Sequence, residues 1–270
     1  MKKLVINHLI IAAFVVAVAF TSCNKDRENI NTVKLLKTLT YYPEDGFEKW
    51  DKYKFEYDEQ NRITKMSEYS YGGVLSYTST YTYSGDDLIL VLYSNNNDIS
   101  GDEKYEYTKS GNTITQKYTY IGGTYIPAYT GISTIELDGD GVPVKRTTEN
   151  EPGETNVETF YYQDGNMTQK TNRYTSIKYD YSESHSQHYS YDHQKGALYH
   201  CKTPKWLLIL HLNDFGVTNN ITEKSWIRYN AEYTYKFDGA GFPAKRQCRD
   251  ICCMSSREMK WEEKFTYITK

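Results

Sequence analysis

One pattern constrains this chain more than any other: pairs of alternating aromatic residues that run into a turn of Gly, Asn and Asp. Tyr53-Lys54-Phe55-Glu56-Tyr57-Asp58 precedes Glu59-Gln60-Asn61. Tyr81-Thr82-Tyr83 precedes Ser84-Gly85-Asp86, and Tyr105-Glu106-Tyr107 precedes Ser110-Gly111-Asn112. The pattern returns at Ile135-Glu136-Leu137 before Asp138-Gly139-Asp140-Gly141, at Phe160-Tyr161-Tyr162 before Asp164-Gly165, at Tyr189-Ser190-Tyr191 before Asp192, and at Tyr233-Thr234-Tyr235 before Asp238-Gly239-Ala240-Gly241, seven copies in all. The early turn centres lie 24 to 30 residues apart. That is the length of one hairpin of two strands and two turns. Gly, Asn and Asp tolerate the positive φ of tight turns. The Tyr, Thr, Ile and Val between them suit a pleated surface.

Alternation assigns the faces. Tyr77, Ser79, Tyr81 and Tyr83 share one parity, and Thr78, Thr80 and Thr82 share the other. One face is therefore an aromatic wall whose hydroxyls need partners. The other is a wet surface of Thr, Lys and Glu. The fold expected is all-β: a single antiparallel meander of about 12–14 strands built from repeated hairpins. It is strongly curved or closed into a soluble barrel-like sheet, because a long open sheet would expose its edges. A membrane-spanning barrel is not expected, since strand centres such as Tyr105-Glu106-Tyr107-Thr108-Lys109 carry charges where lipid would have to be met.

Residues 203–216 break the repeat. Thr203 reads as an N-cap, Pro204 as the first helical position and Gly216 as the stop. Between them, Trp206 to Leu212 is the most apolar stretch after residue 22. A short buried helix is expected, plugging one mouth of the curled sheet, because a helix apolar on all sides must be enclosed.

The N-terminus reads as an address. Lys2 and Lys3 precede an unbroken apolar run from Leu9 to Phe20, shorter than the about 20 residues of a spanning helix. Phe20-Thr21-Ser22-Cys23 resembles a bacterial lipobox. The expected organisation is a lipoprotein signal peptide over 1–22, a lipidated Cys23 with a flexible tether over 23–32, and one β domain over 33–270. The charged stretch Lys25-Asp26-Arg27-Glu28 resembles the export signal of surface-displayed lipoproteins in Bacteroidota. The expected location is the outer membrane, as a lipoprotein facing outward, with its periplasmic face as the alternative.

The Tyr-x-Tyr-Asp-x-x-Gly signal is similar to YD (Rhs-type) repeats. The whole layout, with Tyr189-Ser190-Tyr191-Asp192, Thr203-Pro204-Lys205-Trp206, Leu212-Asn213-Asp214-Phe215-Gly216 and Asn219-Asn220, resembles a Bacteroidales lipoprotein family of unknown function with a porin-like fold. The resemblance implies a fold and an address, and no activity.

The net charge of −3 gives no basic field for nucleic acid. No cofactor or metal is expected. His185, His188, His193, His200 and His211 crowd one window, but without the spacing of a structural zinc site, and Asp138-Gly139-Asp140-Gly141 reads as a hairpin turn rather than a calcium loop. Cys201, Cys248, Cys252 and Cys253 are candidates for disulfides outside the cytoplasm. No catalytic constellation stands out. Trp50, Trp226 and Trp261 are the candidate ligand-binding residues on the aromatic face. The functional expectation is a lipid-anchored, non-catalytic envelope module, either structural or binding a glycan, a peptide or a partner protein on its aromatic-rich sheet. The alternative is a surface hydrolase acting on glycans.

Overall fold

A computed structural model describes residues 32–270 except 45–47, 97–100, 124–126, 228 and 253–257, and except the side chains of residues 150 and 252. Residues 1–22, expected from the sequence to be a signal peptide, and Cys23 lie outside the described residues. Residues Lys34–Thr269 form one compact unit.

Sixteen strands follow one another round the barrel: β1 (Lys34–Pro43), β2 (Trp50–Tyr57), β3 (Ile63–Tyr69), β4 (Leu75–Ser84), β5 (Asp87–Asn95), β6 (Glu103–Ser110), β7 (Thr113–Tyr120) and β8 (Tyr129–Leu137) make the first half. The second half is β9 (Pro143–Glu151), β10 (Glu154–Gln163), β11 (Asn166–Ser176), β12 (Tyr181–Lys195), β13 (Asn219–Trp226), β14 (Tyr229–Phe237), β15 (Pro243–Cys252) and β16 (Glu258–Thr269). Every strand pairs with its sequence neighbour, and β16 pairs antiparallel with β1 to close the ring. The seven aromatic-then-turn copies account for β2 to β15. The two strands beyond the expected 12–14 are β1, whose following Asp45-Gly46 the seven copies leave out, and β16, and these two meet only through closure.

The turns after even-numbered strands gather at one end. Three share a local design. The Oδ1 of Asp58 accepts from the N–H of Gln60 and Arg62 at 2.9 Å each. Asp138 does the same for Asp140 and Val142, and Asp238 for Ala240 and Phe242. Asn61, Gly141 and Gly241 follow at positive φ. The Asp138 carboxylate thus serves backbone amides, as the hairpin-turn reading requires.

Helix α1 (Lys205–Leu212) sits inside this end. Its Trp206, Leu207, Leu208, Ile209 and Leu212 are buried. One side packs with Leu36, Phe55, Tyr81, Val91, Ile114 and Ile135 of the wall, and the other with Phe160, Met167, Tyr189 and Ile221. At about 1.5–3 kcal/mol per large apolar side chain, docking the plug contributes on the order of 10 kcal/mol before ordering costs. Thr203 does not cap the helix: Pro204 holds that position without a side-chain bond. Thr203 instead accepts from the Ile63 N–H at 2.8 Å and meets the Tyr83 hydroxyl at 3.2 Å, pinning the plug to the wall. Gly216 ends the segment at φ 75°, against Gly196; a Cβ on Gly196 would lie 2.3 Å from the Gly216 carbonyl oxygen.

The aromatic face is the inner one. In β4, Ser79 and Tyr81 are buried while Thr80 and Thr82 are exposed. At mid-height the outer wall carries ion pairs such as Glu106 with Lys104 (2.9 Å) and Lys117 (4.0 Å), and Lys145 with Glu136 (2.9 Å). Charges at these positions oppose burial in lipid and suit a barrel wall bathed in water.

A tier of tyrosines braces the plugged end. Tyr57, Tyr83, Tyr191, Tyr235 and Tyr267 donate to the carbonyls of Leu36, Ile63, Met167, Ile221 and Pro243 at 2.8 Å, and Tyr162 donates to Pro143 at 2.6 Å. Each bond ties an even strand to the odd strand before it. Five of the six even strands shift register within a residue or two of the tyrosine, at Glu56/Tyr57, Thr82/Tyr83, Tyr161/Tyr162, Ser190/Tyr191 and Lys236/Phe237. The hydroxyl takes up ladder groups that such bulges leave over. Burial pushes these phenols upward, Tyr83 and Tyr235 to about 12, so all stay donors at neutral pH. Tyr267→Phe orphans the Pro243 carbonyl and is expected to cost about 1–2 kcal/mol in urea unfolding. Tyr161→Phe, on an exposed side chain, is expected to leave the midpoint unchanged.

Candidate functional site

Above the plug the lumen changes character. The even-numbered strands begin here and the aromatic parity continues, but the tyrosines now donate to acids instead of backbone. Tyr53 bonds Glu68 (3.3 Å), Tyr105 bonds Glu103 (2.9 Å), and Tyr181 and Tyr229 bond Glu183 and Asp250 (2.6 Å each). The result is a wet half-barrel of rings and carboxylates, floored by the end of the helix segment.

Two ion clusters hold that floor. Arg246 forms a two-nitrogen bond to Glu263 Oε2, and its Nη1 donates to the Asp214 carbonyl at 2.8 Å. Lys52 approaches Glu263 at 3.7 Å, and the Trp261 indole N–H donates to it at 3.3 Å. Lys224 grips the Asp214 carboxylate at 3.0 Å. On the other wall Arg146 pairs with Glu158, which Lys170 also meets at 3.5 Å. Burial penalises the Glu263 carboxylate, yet Arg246 and then Lys52 outweigh it and hold the group below its ordinary range. Asp250 goes the other way: burial raises it against the opposing Tyr229 bond and the charges of Lys224 and Lys52. His211, on the plug, is pushed down to about 4 by burial and by Arg146, so its imidazole is neutral at physiological pH.

All three tryptophans singled out in the sequence reach the open half. Trp50 and Trp261 flank Tyr41, at ring-centre distances of 4.6 and 6.2 Å. Trp226 stands apart from them, stacked on Tyr229 at 4.5 Å. Asp250, on β15, lies between the two groups and is bonded to Tyr229. Together these residues form an arc over β13 to β2. A cavity of about 480 Å³ opens against it, lined by Tyr41, Lys52, Asp250, Met259 and Trp261 among others. Sequence reasoning missed Tyr41, Tyr229 and Asp250. Parity with Leu39, Tyr233 and Cys248 is the signal that places them inside. Lys52 carried no such signal, because a register shift between Leu39 and Thr40 alters the parity of β2 at that point.

The remaining sequence candidates are dispersed. Cys201 and Cys248 are free thiols, and burial raises both. Cys253 and the side chain of Cys252 lie outside the described residues. His185 pairs with Glu183 at 3.3 Å, and His200 Nδ1 accepts from the Lys34 N–H at 2.9 Å. Among the described residues no three His, Cys, Asp or Glu side chains converge in a metal-holding group.

No protein family and no curated protein matches the sequence. Among solved structures, the chain is similar to a porin-like protein from Bacteroides uniformis, with a TM-score of 0.37 and 12% identity over 85% of this chain and 96% of that one. A porin-like protein from Bacteroides vulgatus gives 0.41 and 14% over 87% and 99%.

Glu263→Gln leaves Arg246 buried without its counter-charge. It is expected to cost about 3–5 kcal/mol at pH 7 in chemical unfolding. Because the folded carboxyl is held below its unfolded value of about 4.3, its contribution is present above that pH and fades as pH falls through the folded value. The gap between wild type and variant should therefore narrow in acid.

Proposed function

We propose that this protein is a lipid-anchored, non-catalytic binding module of the bacterial cell envelope, and that it takes a glycan into the open half of its barrel. The observation that carries the reading is the arc of Trp50, Tyr41, Trp261, Tyr229 and Trp226 set around Asp250 in a lumen closed at its other end. Sugar rings present apolar C–H faces and a rim of hydroxyls. Aromatic platforms serve the first, and carboxylates and amides in a largely preformed cleft serve the second.

Three further features support it. The charged outer wall suits a domain held at a membrane by a tether rather than one embedded in it. The signal and Cys23 supply that tether, and two or three acyl chains anchor stably where one does not. The acids of the upper lumen are bonded to tyrosines or paired with cations, an arrangement that orients a ligand.

The test is a glycan-array screen of the folded chain, followed by titration of the hits. Binding is expected. Trp261→Ala should weaken it about tenfold or more, and Cys23→Ala should release the protein from membranes with its β-sheet circular dichroism intact. Well-folded protein that binds no glycan would overturn the reading. Turnover of a bound glycan, lost in Asp250→Asn, would favour the hydrolase instead.

A further inference from the structure

The glycan reading leaves open which sugar the barrel prefers. The single cavity of about 480 Å³ beside Asp250 bears on it, with a volume inside the range of small-ligand sites, about 300–1,000 Å³. Its inner wall is continuous. Asp250 on β15 stands directly opposite Met259 on β16. Trp261 is the diagonal neighbour on the same face, a step of about 7–8 Å. Tyr41 follows on β1 and Lys52 on β2, the next two strands round the ring. One sugar residue can therefore meet a carboxylate, a thioether and an indole at once.

Partners decide what this cavity offers a ligand, and its charges are unequally served. Lys52 lies 3.7 Å from Glu263 and 5.6 Å over the rings of both Tyr41 and Tyr53. Lys260 pairs with Glu258 at 3.1 Å. Lys224, whose charge also reaches Asp250, is held by Asp214 at 3.0 Å. The nearby cations are thus committed to other acids. Asp250 is largely buried yet lines the cavity, and among the described residues it forms no ion pair. Its Oδ1 accepts from the Tyr229 hydroxyl at 2.6 Å. That uses one of the roughly four acceptor positions of an ionised carboxylate. Glu44 adds a second acid at the rim.

A carboxylate without a cation, next to an indole and a tyrosine ring, complements a cation carried on a ring with an apolar face. We infer that this cavity takes a hexosamine residue bearing a free amino group. Its ammonium donates to the Asp250 carboxylate, with Tyr229 kept as the second donor. Its ring face lies on Trp261, whose N–H is already spent on Glu263 at 3.3 Å. Such a charge-assisted bond is roughly twice as strong as a neutral one, and aromatic faces beside it favour a cation further. The N-acetyl and hydroxyl analogues bring only neutral donors to the same place. A sugar acid would set its own carboxylate against Asp250 and Glu44, a like-charge contact that rejects it.

This inference rests on the glycan reading, and the experiment separates the two. The folded chain is titrated by calorimetry with three β1→4 disaccharides that differ chiefly in the group at C2: the diamine of chitobiose, N,N′-diacetylchitobiose and cellobiose. At about pH 6 a carboxylate is ionised and an amine protonated. The expected result there is a preference of about tenfold or more for the diamine over both others. Asp250→Asn keeps an acceptor for Tyr229 and removes the charge, and should bring the preference to near unity. Glu183→Gln, on the other wall of the lumen, should leave the ratio intact. Should Asp250→Asn fail to fold, the wild-type protein decides: its preference must fade as pH rises and the amine loses its proton. Affinity for the diamine no greater than for cellobiose or diacetylchitobiose overturns the inference and leaves the glycan reading standing. A preference that survives in Asp250→Asn, or that Glu183→Gln abolishes equally, overturns the placement at Asp250. Absence of binding to all three sugars and to an array of other glycans overturns both.

Discussion

Sixteen strands make a ring too wide for wall side chains to fill, and most of this structure answers that constraint. An empty lumen would forfeit the apolar burial that holds a domain together. Here α1 supplies the missing core. Trp206, Leu207, Leu208, Ile209 and Leu212 meet wall residues on every side, and Thr203 and Asp214 fasten the segment at its two ends. Filling one end dry leaves the other end wet, and that division creates the site.

Tyrosine lets one repeated wall serve both halves. Its ring buries area in the plugged half, where the hydroxyls of Tyr57, Tyr83, Tyr162, Tyr191, Tyr235 and Tyr267 find backbone carbonyls while those of Tyr81 and Tyr107 are enclosed without a partner. Four to ten residues away along the same strands, at Tyr53, Tyr229 and Tyr181, the ring lines the open half and the hydroxyl finds a carboxylate. Phenylalanine could fill the lower tier but would orphan carbonyls there, and in the upper tier it would leave acids such as Glu103 and Asp250 without their donors. The outer wall carries ion pairs such as Glu106 with Lys104 and Lys145 with Glu136.

How much of this was legible follows from the range of each interaction. The turns were legible because Asp58, Asp138 and Asp238 bond amides two and four residues away. The faces were legible because strand parity is local, and the helix because its apolar run broke the period. Closure was not: β1 and β16 pair across more than 200 residues, and no turn joins them. The role of Thr203 was misread as a cap because its true partner, the Ile63 amide, is 140 residues distant. The Arg246–Glu263–Lys52 cluster was equally hidden, since its members come from different strands and Lys52 arrives through a register shift. The division of the tryptophans into a Trp50–Trp261 group and a Trp226–Tyr229 stack appears only in three dimensions.

The central claim is that the helix is a fixed part of the core, so that the barrel is a cup with one mouth. Native-state hydrogen exchange of residues 206–212 tests it most directly. If the account holds, these amides open only with the global unfolding of the strands that surround them, with and without bound glycan. Exchange of the helix through a separate, lower-energy opening while β1 to β16 stay protected would contradict it, and would make the segment a gate in a two-ended channel.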